Sequence, residues 1–147
     1  MKKLKFLNAS AALLLTEDRR VVLQHRDDVS GIWYPDHWGC FGGATEPGES
    51  YHETIVRELW EELSISVSDL HFFMDQHYKI LDNYFTRKFF IARLDDEQIK
   101  QIKLSEGQAW NQFSKAEAVA LKMAPYDKFA LDLFFMREES ALEISEI

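Results

Sequence analysis

A chain of 147 residues, 46% hydrophobic and 29% charged, makes about one globular domain with enough length to bury a real core. A formal charge of −8 argues against a nucleic-acid groove, which needs a basic footprint, but leaves room for a nucleotide whose charge is carried by bound metal. The single cysteine, Cys40, excludes an internal disulfide framework and fits a reducing compartment.

Met1 to Lys5 followed by apolar Phe6 to Leu15 has the outline of a secretory signal, yet Asn8 and Ser10 interrupt the apolar run. No run approaches the ~20 apolar residues of a membrane span. The expectation is a cytoplasmic protein whose first central strand is Phe6 to Leu15. Glu17 to Arg20 then reads as a turn and Val21 to His25 as a second strand, pairing as a hairpin. Arg26 to Asp36 is a loop broken by Gly31 and Pro35, and it leads through His37 to Phe41 to the pair Gly42-Gly43.

Gly43 to Ile65, GATEPGESYHETIVRELWEELSI, carries the most information. Glu46-Pro47-Gly48 supplies a turn, and Ser50 with Glu53 has capping-box spacing, so a helix is predicted to start near Ser50. With about 3.6 residues per turn, Ile55, Val56, Leu59, Trp60 and Leu63 fall on one arc, and Glu58, Glu61 and Glu62 on the adjoining one. A solvated acidic face is the plain reading of such a helix. Against it, Glu58 and Glu62 repel at i,i+4 and sit where the helix macrodipole disfavours carboxylates. The preceding glycine pair also lets backbone approach a ligand closely. Clustered hard oxygen donors suit Mg²⁺ or Mn²⁺, and Mg²⁺ bridges carboxylates to substrate phosphates.

Beyond this helix, His71 to Leu81 and Tyr84 to Leu94 are β-rich runs around Asp82-Asn83, a hairpin signal. Asp95 to Ile102 is a short polar helix, Gln108 to Phe113 a last strand, and Ser114 to Glu117 a helix start. Pro125 to Met136 reads as the C-terminal helix, and 136–147 as a frayed acidic tail. No internal repeat or linker divides the chain, which is read as one domain over 1–147.

Gly43, Glu49, Arg57, Glu58, Leu59, Glu61, Glu62 and Ile65 stand at the spacing of the Nudix box, and on these residues the chain resembles the Nudix hydrolase family, MutT-like branch. Ser64 departs from the pattern, which has glycine there, and Phe41 stands where proline is common. The resemblance implies an α/β/α sandwich with a curved mixed sheet. It also implies hydrolysis of a nucleoside diphosphate linked to another group, with water attacking phosphorus. Mg²⁺, with Mn²⁺ as a substitute, would be held by Glu58, Glu61, Glu62 and the Gly42 carbonyl. Arg57 would orient a neighbouring carboxylate, and Gly43 and Glu49 would support the loop and helix. Glu106, in Glu106-Gly107-Gln108, resembles the downstream glutamate that serves as general base in MutT-like members, with Glu61 as its competitor. Arg26 and Asp127 occupy positions that face the nucleotide in that branch. Trp33, Tyr34 and Trp38 are candidates to stack on a base or, equally, to cover the core.

The leading expectation is a pyrophosphohydrolase that converts a nucleoside triphosphate, an oxidised purine included, to the monophosphate and pyrophosphate. The alternative is a nucleotide-sugar or dinucleoside-type diphosphatase. The proline of ADP-ribose-type members is missing near Ile80 or Leu81, and the coenzyme-A and NADH-type signatures are absent too. A nucleotide sensor that has lost hydrolysis is the different-class reading, and the retained box carboxylates weigh against it. The partner is a small nucleotide, with neither nucleic acid nor membrane, and the oligomeric state is left open, a homodimer included.

Overall fold

The computed structural model describes residues 5–146, with side chains described through residue 138. Strand β1 (Lys5–Leu15) runs through the middle of a mixed seven-stranded sheet. On one side it pairs along its whole length, in parallel, with β6 (Asn83–Arg93). On the other side its partners divide. Leu14 and Leu15 pair with β2 (Val21–His25), whereas Ala9 to Ala12 pair with β4 (Phe41–Ala44). The expected β1–β2 hairpin therefore spans only two residue pairs. The short strands β3 (Trp38–Gly39) and β4 were not anticipated, and this fork sets Gly42 and Gly43 against the centre of β1. β5 (His71–Ile80) forms one end of the sheet beyond β6, and β7 (Ala109–Phe113) pairs with β2 near the other, leaving the sheet open.

Successive residues of a strand face opposite sides, and β1 is apolar on both. Ala11, Leu13 and Leu15 join Leu23 and Phe89 under Ala130, Leu131 and Phe134 of α4 (Pro125–Glu146). Ala12 and Leu14 join Val22, Phe41 and Phe90 against Ile55, Leu59 and Leu63 of α1 (Tyr51–Leu63). Two apolar cores on one sheet, each roofed by a helix, make the α/β/α sandwich. α2 (Asp96–Gln101) and α3 (Lys115–Val119) are short, each starting from a capping box on Asp95 and Ser114.

Three local differences from the sequence expectation have physical causes. The β5–β6 turn is Leu81-Asp82, one residue earlier than Asp82-Asn83, because Ile80 pairs with Asn83; Leu81 takes a left-handed φ of 54° and is largely exposed. Within α1, Trp60 is exposed, whereas Glu62 and Thr54 are buried. At 100° per residue Glu62 falls only about 20° from Ile55, well inside the buried arc, while Trp60 lies on its far rim. α4 continues past Met136 to Glu146; the expected fraying of 136–147 bears on side chains that, from residue 139 on, lie outside the described residues.

Candidate active site

α1 begins at Ser50, whose hydroxyl accepts from the Glu53 N–H while the Glu53 carboxylate accepts from the Ser50 N–H. It ends at Ser64, left-handed at φ 58°, which donates its N–H to the Trp60 carbonyl. The next free carbonyls of the helix are taken by a segment from far downstream. Lys103 N donates to Leu63 O at 2.9 Å, Ser105 N to Glu62 O at 3.0 Å, and the Ser105 hydroxyl to Glu61 O. Helix ends need such partners, and here they carry Glu106 to the acidic end of α1. On its other side the same loop is tied to the β2 end, Gly107 N donating to Asp27 and Gln108 N to the His25 carbonyl. Ser105 and Asp27 were not singled out from the sequence; their roles depend on partners about forty to eighty residues away, as the bonded pairs show.

Arg57 is the organising cation. Its Nε donates to Glu49 at 2.7 Å, its terminal nitrogens to Glu49 at 2.9 Å, Glu58 at 2.8 Å and Glu61 at 3.1 Å, and one also reaches the Ala44 carbonyl at 3.0 Å. Glu49 is fully used: besides Arg57 it accepts from the Thr54 hydroxyl at 2.6 Å and the Glu46 N–H at 3.2 Å. Hydrogen bonds from Arg57, then from Thr54, hold the Glu49 carboxyl down to about 2. Thr54 escaped the sequence reading because a threonine inside a helix carries no pattern of its own.

Glu62 is only 6% exposed, and its carboxylate accepts from the Gly42 N–H at 3.2 Å. Burial, reinforced by the charges of Glu58 and Glu106, pushes its carboxyl up to about 8, with the Gly42 N–H and Arg26 opposing. Glu58 is raised too, chiefly by burial, against the pull of Arg57 and with the push of Glu61 and Glu106. Gly43 is needed beside it, since a Cβ there would lie 2.5 Å from the Glu58 carboxyl carbon. At Gly42 a Cβ would run into the Ser10 carbonyl of β1. Glu61 points outward, its side chain 54% exposed.

This donor set fits a hard divalent cation. Glu49, Glu58 and Glu61 share one guanidinium, and Glu62, which Arg57 does not reach, is held by burial against its own ionisation, so a cation of charge two would relieve both. Among the described residues no three His, Cys, Asp or Glu side chains converge into a finished cage.

The expected nucleotide-facing residues Arg26, Trp38 and Asp127 meet around Gly39, where a Cβ would lie within 4 Å of both Asp127 and Arg26. Arg26 stands at the β2 end, donates to the Trp33 carbonyl at 2.9 Å, and its charge is felt by both Glu62 and Tyr126. Trp38 is stacked on His25 at 4.9 Å and edge-on to Phe113, so it packs as a wall of the α4-side core and not as an open stacking surface. Asp127 is 2% exposed and ion-paired to Arg87, and its second oxygen accepts the Cys40 N–H at 3.0 Å. A first-turn acid turned inward finds better donors there than solvent does. Gly39 makes room for it, for a Cβ would sit 2.6 Å from the Asp127 oxygen. Beyond this pair lies a cleft the sequence did not indicate, lined by Tyr34, Gln76, Tyr78, Tyr126 and Phe129.

The fold is thus a sandwich in which a glycine strand faces an acidic, arginine-braced helix. The NUDIX domain model matches residues 5–134, and the chain belongs to the Nudix family. It is 40% identical over 48 residues to Nudix hydrolase 19, chloroplastic, of Arabidopsis thaliana, covering 33% of this chain and 11% of that protein. Over 59 residues it is 37% identical to a prenyl-diphosphate phosphatase of Methanosarcina mazei, covering 40% and 34%. A dihydroneopterin triphosphate diphosphatase of Haemophilus influenzae matches at 36% over 59 residues, covering 39% and 34%. The matches thus span about a third or less of these relatives. Among solved structures, a MutT protein from Methanosarcina mazei superposes with a TM-score of 0.78 over 95% of this chain and 99% of that one, and at 20% identity the likeness is one of fold.

Proposed function

We propose that this protein hydrolyses the phosphoanhydride of a nucleoside diphosphate carrying a further group, with a nucleoside triphosphate as preferred substrate and monophosphate and pyrophosphate as products. The observation that supports the reading is that Glu62 and Glu58 lie against Gly42 and Gly43, Arg57 braces Glu58 and Glu61, and the charge of Glu106 is felt by Glu58 and Glu62. Glu58, Glu61, Glu62 and the Gly42 carbonyl would hold Mg²⁺, or Mn²⁺ in its place. When bound, the ion neutralises the diphosphate oxygens and makes water more acidic. Arg57 keeps Glu58 and Glu61 oriented from one terminal nitrogen, while its bidentate pairing with Glu49 fixes the guanidinium. Glu106 or Glu61 accepts the proton of the attacking water, and Arg26 faces the substrate phosphates. Water adds to phosphorus, the bridging P–O bond breaks, and the leaving group, pyrophosphate on attack at the α phosphorus or the nucleoside monophosphate on attack at the β, departs with the shared electrons.

A substrate panel with Mg²⁺ tests this by product. Pyrophosphate released from a nucleoside triphosphate supports the reading. Release of a sugar phosphate or of a dinucleoside fragment in preference moves the assignment to the nucleotide-sugar or dinucleoside class. Nucleotide binding without any product would make the protein a sensor. The buried Cys40 thiol and the absence, among the described residues, of a helix fit to cross a membrane accord with a cytoplasmic setting.

A further inference from the structure

Glu106, whose charge is felt by both Glu58 and Glu62, rides on a loop held from two sides. One side is the end of α1, which Ser105 reaches through its backbone N–H and its hydroxyl. The other is the segment that leaves β2, and there the bonds run through the side chain of Asp36. Its Oδ1 takes a hydrogen bond from His25 Nε2 at 2.8 Å and one from the Gln108 amide at 3.3 Å. An ionised carboxylate only accepts, so both partners donate, His25 in its Nε2–H tautomer. The Gln108 bond first, then the His25 bond, holds the Asp36 carboxyl below its ordinary range.

Asp36 is itself well anchored. The His25 ring lies flat on Trp38, centroids 4.9 Å apart, and Trp38 packs against the core beneath α4. The Asp36 N–H donates to the Asp27 carbonyl at 3.1 Å, and the Asp27 carboxylate accepts the Gly107 N–H at 3.3 Å. Gln108 gives its own N–H to the His25 carbonyl and its side-chain amide to the Arg26 carbonyl, both at 2.8 Å. At Asp36 the backbone is left-handed, φ 60°, as it is at Tyr34, φ 47°. Such conformations persist outside glycine only where the surroundings over-determine them, and they cluster at active sites.

The Asp36–Gln108 bond joins the two segments side chain to side chain, two residues from Glu106. Glu106 is exposed, and its charge acts on Glu58 and Glu62 from where the loop sets it. We propose that Asp36 is a positioning residue. Through Gln108 it fixes the loop that holds the Glu106 carboxylate beside Glu58 and Glu62, where that carboxylate takes the proton of the attacking water. This assignment rests on the hydrolase reading and, within it, chooses Glu106 over Glu61 as the base. One of its two tests does not depend on turnover.

Asp36→Gly suits the left-handed backbone and removes only the carboxylate, whereas Asp36→Asn keeps an acceptor in the same conformation. In the metal-free protein, amide hydrogen exchange at Gly107 and Gln108 should quicken at least about tenfold in Asp36→Gly and stay near wild type in Asp36→Asn. Unaltered exchange in Asp36→Gly overturns the proposal. The second test measures kcat and KM with Mg²⁺ on the panel substrate that turns over fastest. Asp36→Gly should lower kcat about tenfold with KM held within about twofold, and Asp36→Asn should recover most of the loss. Asp36→Gly combined with Glu106→Gln should be no slower than Glu106→Gln alone, since a base that is gone cannot be misplaced. Multiplied losses in the double variant, or a normal rate in Glu106→Gln, overturn the role. If Asp36→Gly does not fold, Gln108→Leu cuts the same bond from the other side and must give the same results. A wild type inert on every substrate, with exchange responding as stated, would defeat the hydrolase reading while the clamp on the loop stood.

Discussion

Glu61 and Glu62 are neighbours with opposite circumstances. Glu61 is out in solvent on the Arg57 guanidinium, whereas Glu62 is buried behind Gly42. An exposed i,i+4 ion pair is worth only about 0.3–0.5 kcal/mol, so Glu61→Gln is expected to leave Tm nearly unaltered. The same change removes a proposed metal ligand and candidate base, and turnover with Mg²⁺ should drop at least about a hundredfold. Steady-state rates beside a melting curve check both, and near-normal turnover would remove Glu61 from the site. The Asp127–Arg87 pair lies at the other extreme. Removing one partner of a buried pair leaves a stranded charge, and Arg87→Ala is expected to cost about 3–5 kcal/mol in urea unfolding. The residues of the proposed metal site were legible because their spacing sets them on one helix. The inward turn of Asp127 was not, since its partners stand 40 and 87 positions away.

At the scale of elements, α1 is the best-determined segment and its ends show why. The capping box on Ser50 is local chemistry and appears where the spacing of Ser50 and Glu53 put it. Its far end rests on Ser64 in a left-handed conformation that serine tolerates poorly. Ser64→Gly should therefore stabilise the protein by about 1 kcal/mol, raising Tm by about 2–4 °C, with activity retained. Thermal melts of the two proteins decide it, and a lower Tm would mean that the Ser64 side chain has a use not visible in its backbone. β3 and β4 went unforeseen because two- and four-residue strands lack the length to show a period. They exist because β1 has an edge to offer once β2 turns away.

For the whole molecule, charge placement governs the response to pH and metal. The Glu62 carboxyl, ordinarily at 4.5, is pushed up to about 8, so between those values the folded state holds more protons than the unfolded one. Stability from this group is complete below 4.5 and is lost as pH rises through about 8. Glu49 acts oppositely, but its window lies between 4.5 and about 2. In EDTA, Tm is thus expected to fall from pH 5.5 to 8.5. Saturating Mg²⁺ should flatten that decline and, at pH 7, release on the order of one proton per ion bound. Melting curves across pH, and calorimetry in buffers of different ionisation enthalpy, measure the two effects. A Tm that rises over this range in EDTA would show Glu62 to be ionised already.

Taken by itself, the sequence determined the order of nearly all elements, the helix that bears the carboxylates and the family to which the chain belongs. All of these rest on periodicities and caps that act within a few turns of chain. Only the tertiary structure decided which of three adjacent glutamates is buried, which loop brings Glu106 to them, and that Asp127 braces the core. It also assembled the aromatic cleft, from Tyr34, β5 and α4. Burial and hydrogen-bond partnership are properties of space, and residues separated by dozens of positions meet only when the sheet brings them together.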